Sequence, residues 1–250
     1  MENNTIITEI CCGSVEDVLA SKEAGADRVE LNSALFLGGL TPSLGTFLLA
    51  KKIDGIKILP MVRPRPAGFF YNDHEYKTSV YDAKLFVEHG ADGIVFGFLN
   101  ADGTVDEKRT SEFVNIAAGR DAVFHRAFDL TKDPFAALES LINCGVTRVL
   151  TSGQAPSVPE GLELIKELVE KANGRIEILP GAGIRPTNVA NIIKYTKVTQ
   201  VHFSAMVGRH EPSTQHNPTL SFGGVLRPRE DLIDVTSADK IVNMVAAIRS

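Results

Sequence analysis

The strongest constraint on the fold is an alternation of short β-rich runs and amphipathic segments, repeated about every 25 to 30 residues. A helical segment follows each run, and the last helix comes after a stretch without clear periodicity at 204–236. Strict alternation with eight strands predicts a single (β/α)8 TIM barrel over residues 1–250, with a long loop after strand eight. A doubly wound open sheet is the alternative, but it would usually show a break in strand character at one edge, which this sequence lacks. The eight predicted strands are 5–12, 28–31, 57–62, 93–98, 122–126, 148–151, 175–179 and 198–203.

Composition limits the partners and the compartment. The formal net charge is -5, and no cluster of Lys and Arg interleaves with aromatic residues. This argues against nucleic acid and anionic membranes as main partners. The first residues are polar, so no secretory signal is expected, and no apolar run approaches membrane-spanning length. Three cysteines do not make a disulfide framework, and a cytoplasmic location is therefore predicted.

The residues predicted to face the barrel interior are unusually polar. Alternate residues of a barrel strand point inward, and the apolar residues that suit the helix side fix which ones these are. A barrel interior is normally filled by Val, Ile and Leu, so buried charges there must pair or bind something. One interpretation is an internal salt-bridge network with hydrogen-bonded histidines. A ligand pocket at the C-terminal mouth is favoured, because the polarity lies near strand ends. The predicted interior residues are Glu9, Cys11, Arg28, Glu30, Arg63, His125, Gln200, His202 and Ser204.

Five of these residues are candidates for acid–base catalysis: Glu9, Glu30, Arg63, His125 and His202. A histidine could move a proton, while a neighbouring carboxylate orients its ring or serves as the base. Arg63 would hold an anionic group of the substrate. Just after His125, Asp129 is better placed to fix Arg126 or to cap the next turn than to react.

A second candidate site lies in the loops after strands seven and eight. Gly181 and Gly183 follow strand seven and Ser204 follows strand eight, which is where barrel enzymes commonly bind phosphate. Glycines let backbone N–H groups approach an anion, and Arg63 could add a positive charge. The alternative is a tight strand-to-helix turn that merely needs glycines.

Cys11 and Cys12 are the candidate metal ligands, because thiolates suit a soft ion such as Cu(I). Adjacent strand residues point to opposite faces, however, so both sulfurs cannot easily hold one ion. The alternative is a pair of ordinary buried cysteines. Cys11 with His125 or His202 is a further option, as a small mixed site.

Seven short motifs follow one another in a fixed order: EICC at 9–12, DRVEL at 27–31, GGLTPS at 38–43, MVRPR at 61–65, FHRAFD at 124–129, RVLTSG at 148–153 and GAG at 181–183. This set of motifs resembles the CutC family. That resemblance implies a cytoplasmic (β/α)8 barrel with a role in copper homeostasis, and a homo-oligomer. It also implies copper binding by cysteines, for which Cys11 and Cys12 are the matching residues here.

Two functional hypotheses follow. The first is a cytoplasmic copper-homeostasis protein that binds copper, weakly or indirectly. The second is an enzyme of unidentified reaction acting on a small phosphorylated or carboxylated metabolite. In the second, Arg63 and the glycine turn at 181–183 hold the anion, and His125 or His202 moves the proton.

Overall fold

A computed structural model describes residues 6–217, 219–223 and 231–249 of the chain. Strands and helices alternate along it as the repeat predicts. None of the helices in these described ranges is long and apolar enough to cross a bilayer. In chain order the elements are β1 (Ile7–Cys12), α1 (Val15–Glu23), β2 (Arg28–Leu31), α2 (Leu44–Ala50), β3 (Lys57–Pro60), α3 (Asp73–Glu88), β4 (Gly93–Phe96), α4 (Glu107–Ala117), β5 (Asp121–Phe124), α5 (Pro134–Cys144), β6 (Arg148–Thr151), α6 (Leu162–Ala172), β7 (Glu177–Pro180), α7 (Val189–Thr196), β8 (Gln200–Phe203), β9 (Met206–His210), β10 (Leu232–Thr236) and α8 (Ala238–Arg249).

The first eight strands close into a parallel barrel. Two four-stranded sheets form, one in the order β3-β2-β1-β8 and the other in the order β4-β5-β6-β7. A parallel bridge between Met61 and Val95 joins β3 to β4, and one between Gly181 and His202 joins β7 to β8. The ring therefore has no open edge. The predicted (β/α)8 barrel is confirmed, and the open-sheet alternative is wrong.

The two sides of the barrel wall have different chemistry. Ile10, Val29 and Phe124 belong to the apolar core between strands and helices, as the predicted alternation requires. Inside the ring, a small apolar cluster fills the β3, β4 and β5 side, formed by Leu59, Met61, Val95 and Val123. The β8, β1 and β2 side instead carries buried polar groups, which include Gln200, His202, Glu9, Arg28 and Glu30. The interior is thus half apolar and half polar.

The stretch at 204–236 is more regular than the long loop that the sequence predicts. β9 and β10 pair as an antiparallel ribbon, with Thr236 opposite Met206. The backbone N–H of Thr236 donates to Asp17, which ties the ribbon to α1 at 2.6 Å. Most of the ribbon residues are exposed or half-buried. With no face fully buried, the strands need no alternation of apolar and polar residues, and so the sequence shows no strand signal. Residues 218 and 224–230 of this stretch lie outside the described ranges.

Candidate functional site at the barrel mouth

A cavity of about 350 Å³ opens at the carboxyl ends of the strands. Apolar residues supply much of its wall, and polar atoms converge from β1, β2, β5 and β8. This is the face where barrel enzymes place their active sites. The cavity is lined by Cys11, Glu30, Gly38, Met61, Arg63, Phe69, His125, Arg126, Asp129, Leu130, Leu150 and His202.

Glu9 lies beneath the cavity and is fully engaged. Arg28 donates from Nε to Glu9 Oε2 and from Nη2 to Gln200, and His202 Nδ1 lies 2.8 Å from Glu9 Oε1. Burial alone would raise the pKa of Glu9, but Arg28 and the bond with His202 outweigh it and lower the pKa to about 2. Glu9 is therefore a permanent carboxylate that orients the ring of His202. Glu9 does not line the cavity, so it could affect catalysis only by positioning His202.

Three ligand-type atoms gather above this network. Donor atoms of Cys11, Glu30 and His202 all lie within 4.8 Å of one another. Burial raises the pKa of the Glu30 carboxyl, and burial together with the Glu30 carboxylate raises the pKa of the Cys11 thiol well above its usual value. Burial favours neutral His202, but Glu30 and Glu9 outweigh it and raise the pKa of the ring. All three pKa shifts are thus upward, as expected where burial and negative charge are concentrated.

Asn32 organises the cluster from one side. Its Nδ2 donates to Glu30 Oε1 at 2.9 Å and lies 3.5 Å from the sulfur of Cys11. The other carboxylate oxygen of Glu30, Oε2, is buried and has no hydrogen-bond partner among the described residues. A buried oxygen without a partner costs roughly 1–3 kcal/mol, so this atom is suited to a ligand.

His125 directly follows β5, three strands around the ring from Glu30. Its Nδ1 accepts the backbone N–H of Ala127 at 3.1 Å, so the neutral ring carries its proton on Nε2. Burial lowers the pKa of His125, and the Arg63 guanidinium lowers it further, to about 3. Nε2 is buried and unpartnered within the described part of the chain. His125 is therefore a neutral hydrogen-bond donor over the whole physiological range.

The packing around His125 leaves its ring little freedom. A Cβ built on Gly97 would lie 2.4 Å from Cε1 of His125, so only glycine fits at this point of β4's extension. On the other side, the Phe69 ring centroid lies 4.7 Å from that of His125. The ring is held between a backbone and an aromatic side chain. Its Nε2 direction is thus set by the fold and not by a ligand.

Arg63 lines the cavity, but most of its donors are used. Nη1 donates to the carbonyls of Leu37 and Gly39, and Nη2 donates to that of Ala67. Its buried Nε has no hydrogen-bond partner among the described residues. Arg63 therefore braces the loops after β2 and β3, and most of its hydrogen-bonding capacity is not available for the anion that the sequence assigns to it.

Arg126 is held from behind by Asp129 and Ser152. Nε donates to Asp129 at 2.7 Å, and Nη2 donates to Ser152 Oγ at 2.6 Å. Asp129 also accepts from Thr151 Oγ1 at 2.5 Å and from the backbone N–H of Gln154 at 3.1 Å. The predicted bond between Asp129 and Arg126 is thus present, and it fixes a guanidinium at the edge of the cavity.

The predicted phosphate loop is not part of this cavity. Gly181 packs so closely that a Cβ would lie 2.6 Å from Leu150, and one on Gly183 would lie 2.8 Å from Ser157. Ser204 is exposed and lines a neighbouring cavity of about 340 Å³ instead. The two glycines allow close packing behind the mouth. An anion site at Gly181, Gly183 and Ser204 remains a prediction that this geometry does not bring together with Arg63.

The two adjacent cysteines face opposite sides of β1. Cys11 lines the cavity, whereas Cys12 is fully buried in the core beneath the helices. The Cys12 sulfur lies 3.3 Å from Ser21 Oγ on α1. Burial also raises the pKa of the Cys12 thiol, far beyond the physiological range. The structure therefore does not bring the predicted metal pair together, and it places Cys11 with Glu30 and His202 instead.

Asn32 was not singled out by the sequence, and Arg126 was considered only as the partner of Asp129 and not as a site residue. Asn32 carries no charge and sits in a loop, so nothing in the sequence distinguishes it from a turn residue. Arg126 follows His125 directly, and its position after a strand was the one available signal.

The match to known families is clear at this point. The CutC family model matches residues 6–207. The chain belongs to the CutC family. A CutC family protein of Treponema denticola is 55% identical over 240 residues, covering 96% of this chain and 98% of its own length. The human copper homeostasis protein cutC homolog is 39% identical, covering 99% of this chain and 90% of its own length.

Solved structures agree with the family and with the fold. A copper homeostasis protein named CutC from Streptococcus agalactiae superposes with a TM-score of 0.76 at 34% identity, over 80% of this chain and 98% of that one. A phosphoribosyl anthranilate isomerase from Thermococcus kodakaraensis covers 98% of this chain and 100% of its own, with a TM-score of 0.57 at 17% identity. The second likeness shows the barrel fold alone. CutC family members thus share their architecture with enzymes of unrelated sequence.

Proposed function

We propose that this CutC family member acts in copper homeostasis and binds copper directly, at Cys11, Glu30 and His202. The observation that carries the proposal is the grouping of a sulfur, a carboxylate oxygen and an imidazole nitrogen within 4.8 Å at the cavity wall. Thiolate and imidazole are ligands that suit copper. Glu30 Oε2, buried and unpartnered, supplies a further donor atom.

The charge of the cluster also fits a cation. Cys11 and Glu30 have raised pKa values because burial and neighbouring negative charge oppose their ionisation. A bound cation would offset that cost, and binding would release protons. Glu9 would hold the ring of His202 from behind through Nδ1, which leaves Nε2 for the ion.

Replacement of Cys11 should weaken copper binding, and Cys12 offers a matched control. We expect Cys11→Ser to weaken Cu(I) binding at least tenfold in competition with a chromogenic chelator, because the soft donor is lost. Cys12→Ser removes the same atom one residue away, on the helix side of β1, and should leave the affinity unchanged. Equal losses in both variants, or none in either, would refute this site.

The human and mouse relatives named for copper homeostasis support a role of that kind for this chain. A cytoplasmic location fits the three free thiols, Cys11, Cys12 and Cys144. We also propose that the protein self-associates. Self-association is supported by exposed large apolar side chains on loops at the mouth, at Phe36, Phe70 and Leu130.

A second candidate function is an enzyme of unidentified reaction on a small anionic metabolite. The observation in its favour is His125, a neutral donor held rigidly with Nε2 unpartnered. Such a group stabilises negative charge that develops on a carbonyl oxygen, while Glu30 or His202 across the cavity would take a proton. Glu9 would act only by orienting His202, and Arg63 would contribute its Nε–H group.

Proton transfer of this kind exchanges a carbon-bound hydrogen of the substrate with solvent. In deuterated water, we expect the purified protein to catalyse this exchange in members of a panel of small keto acids and sugar phosphates. Proton NMR measures the exchange as loss of the signal of the carbon-bound hydrogen. His125→Gln should slow the exchange at least a hundredfold. A panel in which no member exchanges faster with protein than without it would contradict the enzyme candidate.

A further inference from the structure

The β5 side of the cavity presents hydrogen-bond donors. His125 Nε2 carries a proton, is buried, and has no partner among the described residues. Beside it, Arg126 uses Nε and Nη2 on Asp129 and Ser152. Its Nη1 makes no hydrogen bond within the same described ranges. Donors that the protein itself does not satisfy mark a place for oxygen atoms of a ligand.

The positions of these donors are fixed in advance. Asp129 accepts from Thr151, Ser152, Gln154 and Arg126, so it is tied to the loop after β6 as well as to the guanidinium. Its side chain is 8% exposed, whereas that of Arg126 is 42% exposed. The carboxylate therefore holds one edge of Arg126, and the arginine side chain lines the cavity. Little entropy is lost when such a group binds, which favours a specific site over a passing surface contact.

The opposite wall carries acceptors. Glu30 Oε2 is unpartnered, and Glu9 and His202 stand behind it. A ligand with acceptor atoms alone would leave this wall unsatisfied, and a second negative group there would meet Glu30. The ligand must therefore be polar at both ends, with an anionic end near β5 and a donor near β2.

Between the two walls the surface is apolar. Met61, Phe69, Leu130 and Leu150 line the cavity, and its volume is about 350 Å³. This space suits a small organic molecule with a short carbon chain. His125 and Arg126 are consecutive residues that both line the cavity, and an imidazole and a guanidinium donor on one wall match the two oxygens of a carboxylate.

We propose that the mouth of this barrel binds a small carboxylate that also carries a hydroxyl or amino group. Its carboxylate lies between His125 Nε2 and Arg126 Nη1, and its hydroxyl or amino group faces Glu30. The neutral state of His125 keeps its donor present at every physiological pH. The proposal rests on the enzyme candidate for its biological use, and it does not depend on copper.

The test is calorimetric titration of metal-free protein, prepared with chelator, with glycolate, 4-hydroxybutyrate, 4-aminobutyrate, acetate and inorganic phosphate. We expect at least one of the first three to bind at least tenfold more tightly than acetate. Arg126→Gln should weaken that binding at least tenfold. Arg120→Gln is the matched control, because Arg120 is exposed and lies just before β5, at the opposite end of the strand. It should leave the affinity unchanged.

An NMR measurement makes the test independent of any variant. The side-chain Nε2–H resonance of His125 should shift on saturation with the tightest carboxylate, since that proton becomes hydrogen-bonded. The proposal is overturned if no hydroxy or amino carboxylate binds more tightly than acetate, if phosphate binds best, or if Arg126→Gln and Arg120→Gln behave alike. Binding without hydrogen exchange would refute the enzyme candidate alone. Loss of copper binding in Cys11→Ser with carboxylate binding intact would separate the two sites.

Discussion

Arg28→Met should destabilise the protein by about 3–5 kcal/mol, the loss expected when one partner of a buried ion pair is removed. Arg28 and Glu9 are almost completely buried, and Arg28 also bonds Gln200 on β8. Without the guanidinium, Glu9 keeps His202 as its one side-chain hydrogen-bond partner among the described residues. A native domain is stable by about 5–15 kcal/mol, so this loss is a large part of the total. Urea unfolding followed by circular dichroism measures it.

Two further variants distinguish the stability effect of a buried ion pair from that of a surface ion pair. Arg175→Met breaks a surface pair with Glu139 in which both side chains are about 40% exposed, and its unfolding midpoint should change little. The double variant Glu9→Leu/Arg28→Met removes both buried charges, and it should be more stable than Arg28→Met alone. Two results would contradict this account of the buried network. One is that Arg28→Met unfolds at the wild-type midpoint. The other is that the stability lost in the double variant equals the sum of the stabilities lost in Glu9→Leu and in Arg28→Met.

The same network shows how far a sequence can predict a barrel interior. Period-two alternation needs only one apolar residue per strand to fix which neighbours point inward. Ile10 and Val29 take the helix side, and this puts Glu9, Arg28 and Glu30 together before any coordinates are known. Both interpretations of that polarity have a basis in the structure. The lower layer is a salt-bridge network, and the upper layer opens into a pocket.

The partners of long side chains could not be predicted in this way. Arg63 points inward as expected, but its guanidinium reaches carbonyls of loops whose paths depend on the whole fold. The turn after β2 gives a similar lesson. Thr41 followed by Pro42 predicts a helix start, yet α2 begins at Leu44 with Ser43 as its N-cap. Thr41 Oγ1 instead accepts the backbone N–H of Arg63, a bond between distant parts of the chain.

The exposed ribbon was missed, and Arg126 was left out of the predicted site residues, for a related reason. β9 and β10 bury too little surface to impose a pattern on their sequence. Arg126 has an ordinary sequence context, and only Asp129 and Ser152, from the loops after β5 and β6, turn it toward the cavity. Local signals thus predict the scaffold and the inward residues. The site itself depends on contacts between loops that follow different strands.

The stability of the protein should fall more steeply with decreasing pH than that of His125→Gln. The folded-state pKa of His125 is lowered to about 3, from about 6.5 in an unfolded chain. Between these values the unfolded state binds a proton that the folded state does not, so stability is lost as the pH falls. The slope is at most ~1.4 kcal/mol per pH unit. From pH 6.5 to 4.5 the wild type should therefore lose about 2–3 kcal/mol more than His125→Gln.

This pH window isolates His125 from its charged neighbours. The lowered pKa of Glu9 acts only below its ordinary value of 4.5, down to about 2. The raised pKa of His202 adds stability that is fully present below pH 6.5, so it is constant in the window. Glu30 titrates in the opposite sense, but it does so in both proteins and cancels in the difference. His89→Gln, at an exposed position after α3, is the control for the loss of an imidazole elsewhere on the chain. Parallel curves of stability against pH for the wild type and His125→Gln would show that the His125 ring takes up a proton in the folded state. His125 would then not be the neutral hydrogen-bond donor that we assign to the barrel mouth.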